Sequence, residues 1–404
     1  MAKDVNAPRG MRDFLPVDKA KRDAVLATIR SVYQARGFQE IETPALEDIS
    51  RLTSGQGGDN EKLAFRVMKR GAELEAGLAA GSVDDLADLG LRYDLTVPLT
   101  RYYATNRASL PQVFKAIQTG PVWRAERPQK GRYRQFVQCD IDVIGDDSML
   151  AEVELLVASL DALAAIGLAN ATIRVNHREL LTASILSLGV SSGDALSAMI
   201  TIDKLDKIGV SGVADELSTK FGASVASAAS SWLAGVSALA VPSVLSSLFA
   251  AVSAVHPGKL RYDATLVRGM GYYTGSIFEI EHPASGSSIG GGGRYDGMIG
   301  KWLGTSVPAV GISIGFERAV DLVTSEFGSG HNGVVLVVES ASLIGVALSV
   351  QQALLAAGDV VRLELRPKKL NNLLDSLAAQ GFTRFAVIDG SVSSAADLNI
   401  RSIG

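Results

Sequence analysis

The feature that most constrains how this chain can fold is a long segment without charge. Between Phe221 and Gly258 the sequence contains no Asp, Glu, Lys or Arg, and this length is enough for a helix to span a bilayer. The segment also carries nine serines and is interrupted by Pro242. Alanine and serine supply far less transfer free energy than leucine and isoleucine. We therefore predict packed helices of a small soluble domain here, with a membrane helix as the alternative.

Composition narrows the class of protein. The chain has 404 residues and a mass of 42.4 kDa, which suggests two or three domains. Hydrophobic residues make up 47% and charged residues 20%, a balance typical of a folded globular protein. The 39 Lys and Arg residues against 43 Asp and Glu residues give a net charge of −4. This excludes a protein that coats nucleic acid through a bulk basic field, so any such contact must use local basic patches.

Cysteine and histidine usage bears on metals and on the compartment. The single cysteine, Cys139, excludes an internal disulfide framework and a thiolate metal cage. The four histidines are far apart and lack metal-ligand spacing, so we predict no metal site from the protein and no zinc. No apolar run follows the charged N-terminus. We therefore expect no signal peptide, no membrane association and a cytoplasmic location.

The hydrophobic pattern divides the chain into parts. Residues 1–326 mix strand and helix signals, including a strand prediction at Leu91–Asp94, and contain a helical insertion at about 180–257. A Gly- and Ser-rich stretch at 327–333 has the composition of a linker. From 334 to 404 strands alternate with helices, which predicts a small α/β domain with a mostly parallel sheet.

The most informative segment runs from Trp123 to Phe136. Residues 121–140 carry five basic side chains against two acidic ones, a local excess of positive charge in an acidic protein. Arginine forks match phosphate oxygens, Gly131 permits a turn between two strands, and Phe136 can stack on a base. The segment therefore predicts contacts with a phosphate-bearing nucleotide, and a solvated basic hairpin is the alternative.

A run of four glycines, Gly290–Gly293, follows an apolar segment and precedes Arg294. Because glycine weakens strands and helices, such a run implies close approach of the backbone to a ligand or a tight turn. A flexible loop is the alternative. The run is not a Walker loop, which needs Gly-Lys-Ser/Thr, and it lacks the strand and helix context of a dinucleotide fingerprint.

Several motifs, taken together, resemble those of class II aminoacyl-tRNA synthetases in the histidine-specific form. The segment Arg124–Phe136 resembles the second class signature, Val310–Arg318 the third, and Gly37–Pro44 the first. The segment 268–275, Arg-Gly-x-x-Tyr-Tyr-Thr-Gly, resembles the motif peculiar to histidyl-tRNA synthetases. Leu91–Pro98 matches the family's histidine-pocket strand. The resemblance covers nearly the whole chain.

This resemblance implies a fold and a reaction. The implied fold is an α+β catalytic domain around an antiparallel sheet with a helical insertion, followed by a small α/β anticodon-binding-like domain. The implied reaction activates L-histidine with ATP to histidyl-adenylate and transfers it to the 3′ end of tRNA(His). Mg²⁺ is expected with ATP. A homodimer is expected because residues 37–44 resemble the family's dimer element.

The resemblance also assigns the ATP contacts. Arg124 and Arg268 would be catalytic residues that flank the α-phosphate, where attack by the histidine carboxylate needs charge compensation. Arg132 and Arg318 would hold the outer phosphates. Phe136 would stack on adenine, and Glu126 would meet the exocyclic amine of the base.

The histidine pocket is assigned in the same way. Asp94, Thr96 and Gln138 would bind the α-amine. Asp142 and Tyr273 would meet the two edges of the imidazole, and a site that bonds both ring nitrogens rejects apolar amino acids. Tyr272 and the glycine run would line the pocket wall. Arg124 and Arg268 would reach the bound histidine. For each residue an ordinary structural role is the alternative.

A second basic cluster precedes and opens the last predicted helix. The cluster consists of Arg362, Arg366, Lys368 and Lys369, and we expect it to contact tRNA. A solvated helix start is the alternative.

Two departures from the family pattern are visible. Gly271 stands where many members have aspartate, which bears on the local loop geometry. The chain also lacks the final helix of an anticodon domain, so we expect that domain to be trimmed and its anticodon affinity to be reduced.

One other function fits the resemblance. It is the synthetase-like regulatory subunit of ATP phosphoribosyltransferase, a catalytically silent histidine sensor. Such paralogues typically lose the phosphate arginines and the C-terminal domain, whereas this sequence keeps both. A histidine-sensing domain within a kinase is excluded because no kinase sequence is present.

Overall fold

The structure, a computed structural model, describes residues 5–54, 58–128, 131–269, 271–324 and 333–403, with only the backbone at 58–60 and 83–84. The chain forms two compact units, residues 1–12 with 26–324 and residues 13–25 with 325–404. Of the predicted linker, residues 327–332 lie outside the described part of the chain, and Gly333 begins a strand.

A mixed eight-stranded sheet forms the centre of the first unit. Its neighbouring strands are, in spatial order, β1 Gln39–Glu40, β5 Phe114–Trp123, β6 Gln135–Ile144, β11 Ala309–Gly315, β10 Gly290–Arg294, β9 Ser276–Glu281, β7 Thr172–His177 and β8 Leu260–Tyr262. The pairs β1–β5 and β7–β8 are parallel and the other pairs are antiparallel. The expectation of an antiparallel sheet is therefore corrected to a mixed one, because both edge strands follow or precede long crossover connections.

A small antiparallel sheet and several helices complete the body of the first unit. The sheet contains β2 Leu46–Asp48, β4 Ala87–Leu91 and β3 Phe65–Met68 in spatial order. The helices are α1 Pro16–Ala35, of which 16–25 belong to the second unit, α2 Ile49–Leu52, α3 Gly71–Ala80, α4 Thr96–Asn106, α5 Leu150–Ala165, α11 Gly297–Leu303 and α12 Phe316–Leu322. The core beneath the large sheet includes the buried side chains of Phe114, Tyr93 and Ile299.

The strand predicted at Leu91–Asp94 is wrong in its bounds. β4 ends at Leu91, and the chain then turns into α4 at Thr96. The Asp94 carboxylate causes this turn, because its Oδ1 accepts a hydrogen bond from the backbone N–H of Val97 at 3.0 Å. Pro98, which has no N–H, fits the first turn of the helix.

The helical insertion is the crossover between the parallel strands β7 and β8. It contains α6 Arg178–Ser187, α7 Ala195–Ile202, α8 Leu205–Phe221, α9 Ala223–Gly235 and α10 Ser243–Ser253. The run 223–253 is long and apolar enough to cross a membrane by composition. It is divided, however, into helices of 13 and 11 residues. Neither reaches the ~20 residues of a transmembrane helix, and α9 buries Val225, Ala229 and Leu233 in the insertion's own core.

The second unit has the predicted alternation of strands and helices. Its sheet contains, in spatial order, β13 Val360–Leu365, β12 Gly333–Val338, β14 Phe382–Ile388 and β15 Arg401–Ser402. β12 is parallel to both neighbours, and β15 is antiparallel to β14. Every residue of β12 is buried, as expected for a central parallel strand between the helices α13 Ile344–Ala356 and α14 Leu370–Ala378.

Candidate active site

A cavity of about 550 Å³ opens over one face of the large sheet. Residues of β6, β10 and β11 form its floor, and its walls come from the loop before β6, the turn into α4 and the loop before β9. The cavity brings together all the residues predicted for histidine and ATP, which are Asp94, Thr96, Arg124, Glu126, Arg132, Phe136, Gln138, Asp142, Arg268, Tyr272, Tyr273 and Arg318. These positions span more than half of the chain.

Three buried carboxylates lie on the cavity floor. Gln138, Asp140 and Asp142 are spaced two residues apart along β6, so their side chains share one face of the strand. Asp94 reaches the same floor from the turn before α4 and is 1% exposed, while Asp140 and Asp142 are 4% and 3% exposed. We call Asp94, Asp140 and Asp142 the acid cluster. One Asp94 oxygen, Oδ2, has no hydrogen-bond partner among the residues the structure describes.

The neighbouring strand leaves the space that the acid cluster occupies. Gly311 of β11 pairs in register with Asp142, and Ser313 pairs with Asp140. A Cβ atom on Gly311 would lie 1.9 Å from Oδ1 of Asp142, which is far inside van der Waals contact. Glycine at this position is therefore what allows the Asp142 carboxylate to lie over β11.

Burial makes these carboxyls unusually weak acids. Desolvation raises the pKa of Asp142 to about 7, with Tyr295 opposing the shift through its hydrogen bond and Asp94 reinforcing it. Desolvation also raises the pKa of Asp94 to about 6, although the Val97 N–H and Arg124 oppose it. Burial and the charge of Asp142 raise the pKa of Asp140 well above its usual range. The cluster therefore favours a cationic ligand that offers N–H donors.

The raised pKa of Asp142 predicts how stability responds to pH. Between the ordinary value of 3.8 and about 7 the folded protein binds more protons at this carboxyl than the unfolded chain, so stability falls as pH rises. Asp142→Asn removes the buried charge. We expect it to raise Tm by about 2–4 °C at pH 8 and by clearly less at pH 5. Calorimetry of Asp142→Asn, with the exposed Asp147→Asn as control, measures this, and an equal change at both pH values would contradict it.

Tyrosines close the wall beside the acid cluster. The hydroxyl of Tyr295 donates a hydrogen bond of 2.6 Å to Oδ1 of Asp142. The ring of Tyr272 packs edge-on against Tyr273 at 4.8 Å and against Tyr295 at 6.1 Å between centroids. Our reading of the sequence missed Tyr295 and Asp140 as site residues. The two-residue spacing from Gln138 to Asp142 would have indicated Asp140, and the glycine run beside Tyr295 would have indicated the tyrosine.

The glycine run is a strand, β10, inside the large sheet, so the alternative of a flexible loop is wrong. Side chains of the loop before β9 lie directly on it. A Cβ on Gly291 would lie 2.8 Å from Cζ of Arg268, and one on Gly293 would lie 2.8 Å from Cδ1 of Tyr273. The run therefore permits the close approach of the protein's own predicted site residues to the sheet.

Arg268 is held at the cavity wall by an acid. Its Nη1 donates to Oε2 of Glu279 on β9 at 2.8 Å. Its Nε is buried and lacks a hydrogen-bond partner within the described part of the chain. A buried cationic donor without a partner is costly unless a ligand completes its hydrogen bonding. This geometry suits an anionic group of a bound ligand.

The other arginines of the cavity surround its outer end. Nε of Arg124 donates to the carbonyl of Tyr93 at 3.0 Å, and its guanidinium lies 5.1 Å from the ring centroid of Phe136. Arg132 pairs with Glu126 at 3.5 Å. Arg318 donates to the carbonyl oxygens of Gly131 and Ser288. Gly131 has the positive φ of 74° that the predicted turn requires.

The N-terminal segment supports this end of the cavity, which sequence reasoning did not foresee. The guanidinium of Arg12 stacks over the ring of Tyr133 at 3.6 Å and pairs with Glu317. Glu317 in turn accepts a hydrogen bond from the backbone N–H of Val137 at 3.1 Å. The carbonyl of Gly10 accepts one from the N–H of Arg134 at 2.8 Å. The segment thus fixes the strand that carries Phe136.

The residues predicted for tRNA belong to the second unit. Arg362 pairs with Glu364 at 2.6 Å, and Arg366 pairs with Glu339. Lys368 and Lys369 are exposed in the turn before α14. The cluster therefore contains a second acid, Glu339, which is remote in sequence and was not counted. The two lysines form its most accessible part.

Within the described ranges, no group of three or more His, Cys, Asp or Glu side chains is placed to hold a metal ion. Two acids beside the arginines of the cavity are already engaged, because Glu279 pairs with Arg268 and Glu126 with Arg132. The residues within those ranges therefore form no cage for a divalent cation.

Comparison with known proteins agrees with the geometry. The family model described as histidyl-tRNA synthetase matches residues 10–319. A histidine--tRNA ligase from Leifsonia xyli subsp. xyli is 51% identical, with 98% of each chain covered. A probable histidine--tRNA ligase from Tropheryma whipplei is 40% identical, with 95% of each covered. The crystal structure of histidyl-tRNA synthetase from Nostoc sp. PCC 7120 has a TM-score of 0.77 at 26% identity, covering 99% of this chain and 95% of that one.

The matched region contains the cavity and every residue that lines it. The acid cluster, the arginines and the tyrosines all lie between residues 10 and 319. The long relatives at 51% and 40% identity also extend through the second unit. This chain belongs to the histidyl-tRNA synthetase family.

Proposed function

We propose that the cavity activates L-histidine with ATP and that the protein then transfers the histidyl group to the 3′ end of tRNA(His). This is the reaction of a histidine--tRNA ligase, which is the name of the Leifsonia xyli relative that this chain matches over 98% of its length. The observation that carries the proposal is the single cavity in which a buried acid cluster lies beside Arg124 and Arg268. The acids suit the amine and imidazole of histidine, and the arginines suit the phosphates.

Recognition of histidine would use the cavity floor. The free Oδ2 of Asp94, together with Thr96 and Gln138, would receive the α-ammonium group. Asp142 and Tyr273 would bond the two edges of the imidazole. Tyr295 supports Asp142 through its 2.6 Å hydrogen bond, so the carboxylate keeps its direction when the ligand binds.

Activation would take place where the floor meets the arginines. A carboxylate oxygen of histidine attacks the α-phosphorus of ATP, the bond to the bridging oxygen breaks, and pyrophosphate leaves. Arg124 and Arg268 would stabilise the charge that grows on the α-phosphate oxygens. Arg132 and Arg318 would hold the leaving phosphates, while Phe136 stacks on adenine and Glu126 meets its amine. Mg²⁺ would arrive bound to the ATP phosphates and would screen their charge.

Transfer requires tRNA at the same cavity. A hydroxyl of the terminal adenosine attacks the acyl carbon of histidyl-adenylate, and AMP leaves. The second unit would act as an anticodon-binding-like domain, with Lys368 and Lys369 as exposed phosphate contacts beside Arg362 and Arg366. Two such contacts add affinity locally in a protein whose net charge is −4.

The remaining proposals concern assembly and location. A homodimer is supported by β1, a two-residue edge strand of the large sheet within the segment that resembles the family's dimer element, since an exposed edge is open to pairing. A cytoplasmic location is supported by the division of the apolar run into two short helices.

Charging of tRNA tests the complete proposal. With radiolabelled histidine, ATP and purified tRNA(His), we expect acid-insoluble label to accumulate on the tRNA, and omission of ATP to prevent it. A tRNA with another anticodon and acceptor stem is the control. Folded protein that binds histidine yet charges no tRNA(His) would contradict the proposal.

A further inference from the structure

Glu279 of β9 joins the candidate catalytic Arg268 to a second, more deeply buried arginine. One of its oxygens, Oε2, accepts from Nη1 of Arg268 at 2.8 Å. The other, Oε1, accepts from Nη1 of Arg174 on β7 at 3.2 Å. A carboxylate shared by two guanidinium groups holds both in fixed directions, since each loses a partner if the carboxylate rotates.

Arg174 is the centre of a wider network. Its Nη2 pairs with Asp263 at 2.6 Å, and its Nη1 lies 3.3 Å from Glu281. These acids raise the pKa of Arg174 against the opposing effect of its burial, so the arginine stays charged. The same Nη1 lies 3.3 Å from Asp206, which belongs to α8 of the helical insertion. The side chain of Asp206 is 77% exposed.

The insertion touches the loop that carries Arg268 by two other routes. Val267, the residue before Arg268, is 5% exposed and belongs to the hydrophobic core of the insertion. Asp203, between α7 and α8, lines the active-site cavity, and its carboxylate is close enough to Arg268 for charge attraction between them. Asn176 of β7 donates to the carbonyl oxygens of Ala264 and Leu266, both at 3.1 Å. The loop is therefore anchored to the sheet and to the insertion at once.

We infer that the helical insertion sets the orientation of Arg268 through the chain Asp206–Arg174–Glu279. We assign Glu279 and Arg174 as positioning residues, because Glu279 bonds Arg268 directly and Arg174 bonds Glu279. The chain therefore connects an exposed acid on the insertion to the candidate catalytic arginine at the cavity wall. This inference rests on the proposed function, and its test includes a readout that does not.

Two variants probe the chain in the full-length protein. Glu279→Gln keeps an acceptor but removes the charge that Arg268 and Arg174 share. We expect kcat for histidine-dependent ATP–pyrophosphate exchange to fall about tenfold or more while KM for ATP and the Kd for histidine change less than about threefold. Asp206→Asn weakens only the exposed end, and we expect kcat to fall about two- to fivefold, since an exposed ion pair is weak.

The matched control is Asp215→Asn, an exposed acid of α8 whose side chain has no hydrogen bond or ion pair with the network within the described part of the chain. We expect it to leave kcat unchanged. Amide hydrogen exchange of residues 263–269 gives the second readout, and we expect faster exchange in Asp206→Asn than in Asp215→Asn. Equal kcat for pyrophosphate exchange and equal amide hydrogen exchange in these two variants would overturn the inference. Absence of exchange activity in the wild type would count against the proposed function instead, while the amide data would still decide the coupling.

Discussion

Replacement of Arg268 by alanine is expected to abolish adenylate formation while most of the histidine affinity remains. The guanidinium lies at the cavity wall with a buried Nε that lacks a partner among the described residues, next to the acid cluster that would hold the amine and the ring. Loss of one preorganised donor to developing charge commonly costs ~10²–10³ in rate. Pyrophosphate exchange measures the first effect and calorimetric titration with histidine the second.

Arg107→Ala is the matched control for this variant. Arg107 is an exposed arginine of the first unit outside the cavity, and its removal should change neither quantity. If Arg268→Ala lost histidine binding as severely as exchange, the arginine would act in binding histidine and the role assigned to it would be incorrect.

A methyl group at Gly311 is expected to weaken histidine binding, although the substitution removes no side chain that would bond histidine. The added Cβ would lie 1.9 Å from Oδ1 of Asp142, so the carboxylate must leave its position and its bond to Tyr295 breaks. A hydrogen bond to a charged group contributes about 1.5–3 kcal/mol, so the Kd for histidine should rise about 10–100-fold. Calorimetric titration of Gly311→Ala checks this.

Gly286→Ala is the control for that substitution. An added Cβ there meets no atom within 4 Å, and the residue lies outside the active-site cavity. Far-ultraviolet circular dichroism establishes that both variants fold. A folded Gly311→Ala protein that binds histidine as the wild type does would show that Asp142 is not a ligand of the imidazole.

The sequence predicted the membership of the cavity better than its shape. Asp94 was assigned to the site by motif, yet it was placed on a strand when it lies in the turn before α4. A stretch of four residues does not reveal that its acid bonds the N–H of Val97 three residues later, because so short a segment has no decisive periodicity. The glycine run likewise indicated close approach, while the partners in that approach, Arg268 and Tyr273, are set by the tertiary fold.

The positioning residues could not be predicted from the sequence for a different reason. Glu279, Arg174 and Asp206 are separated by about 30–100 positions in sequence and meet only because β7 pairs with β9 and the insertion returns over them. Ion pairs of this kind leave no local periodicity. Arg12 is similar, since its stacking on Tyr133 joins the N-terminus to a loop far along the chain. Such contacts require the topology of the sheet before they can be named.

The most direct test of the proposed chemistry is histidine-dependent exchange of labelled pyrophosphate into ATP in the absence of tRNA. It isolates activation from transfer and distinguishes a synthetase from a catalytically silent histidine sensor with the same fold. We expect rapid exchange with histidine and none with leucine or without an amino acid. Folded protein that binds histidine in calorimetry but supports no exchange would contradict the assignment of this cavity to adenylate formation and would favour the sensor.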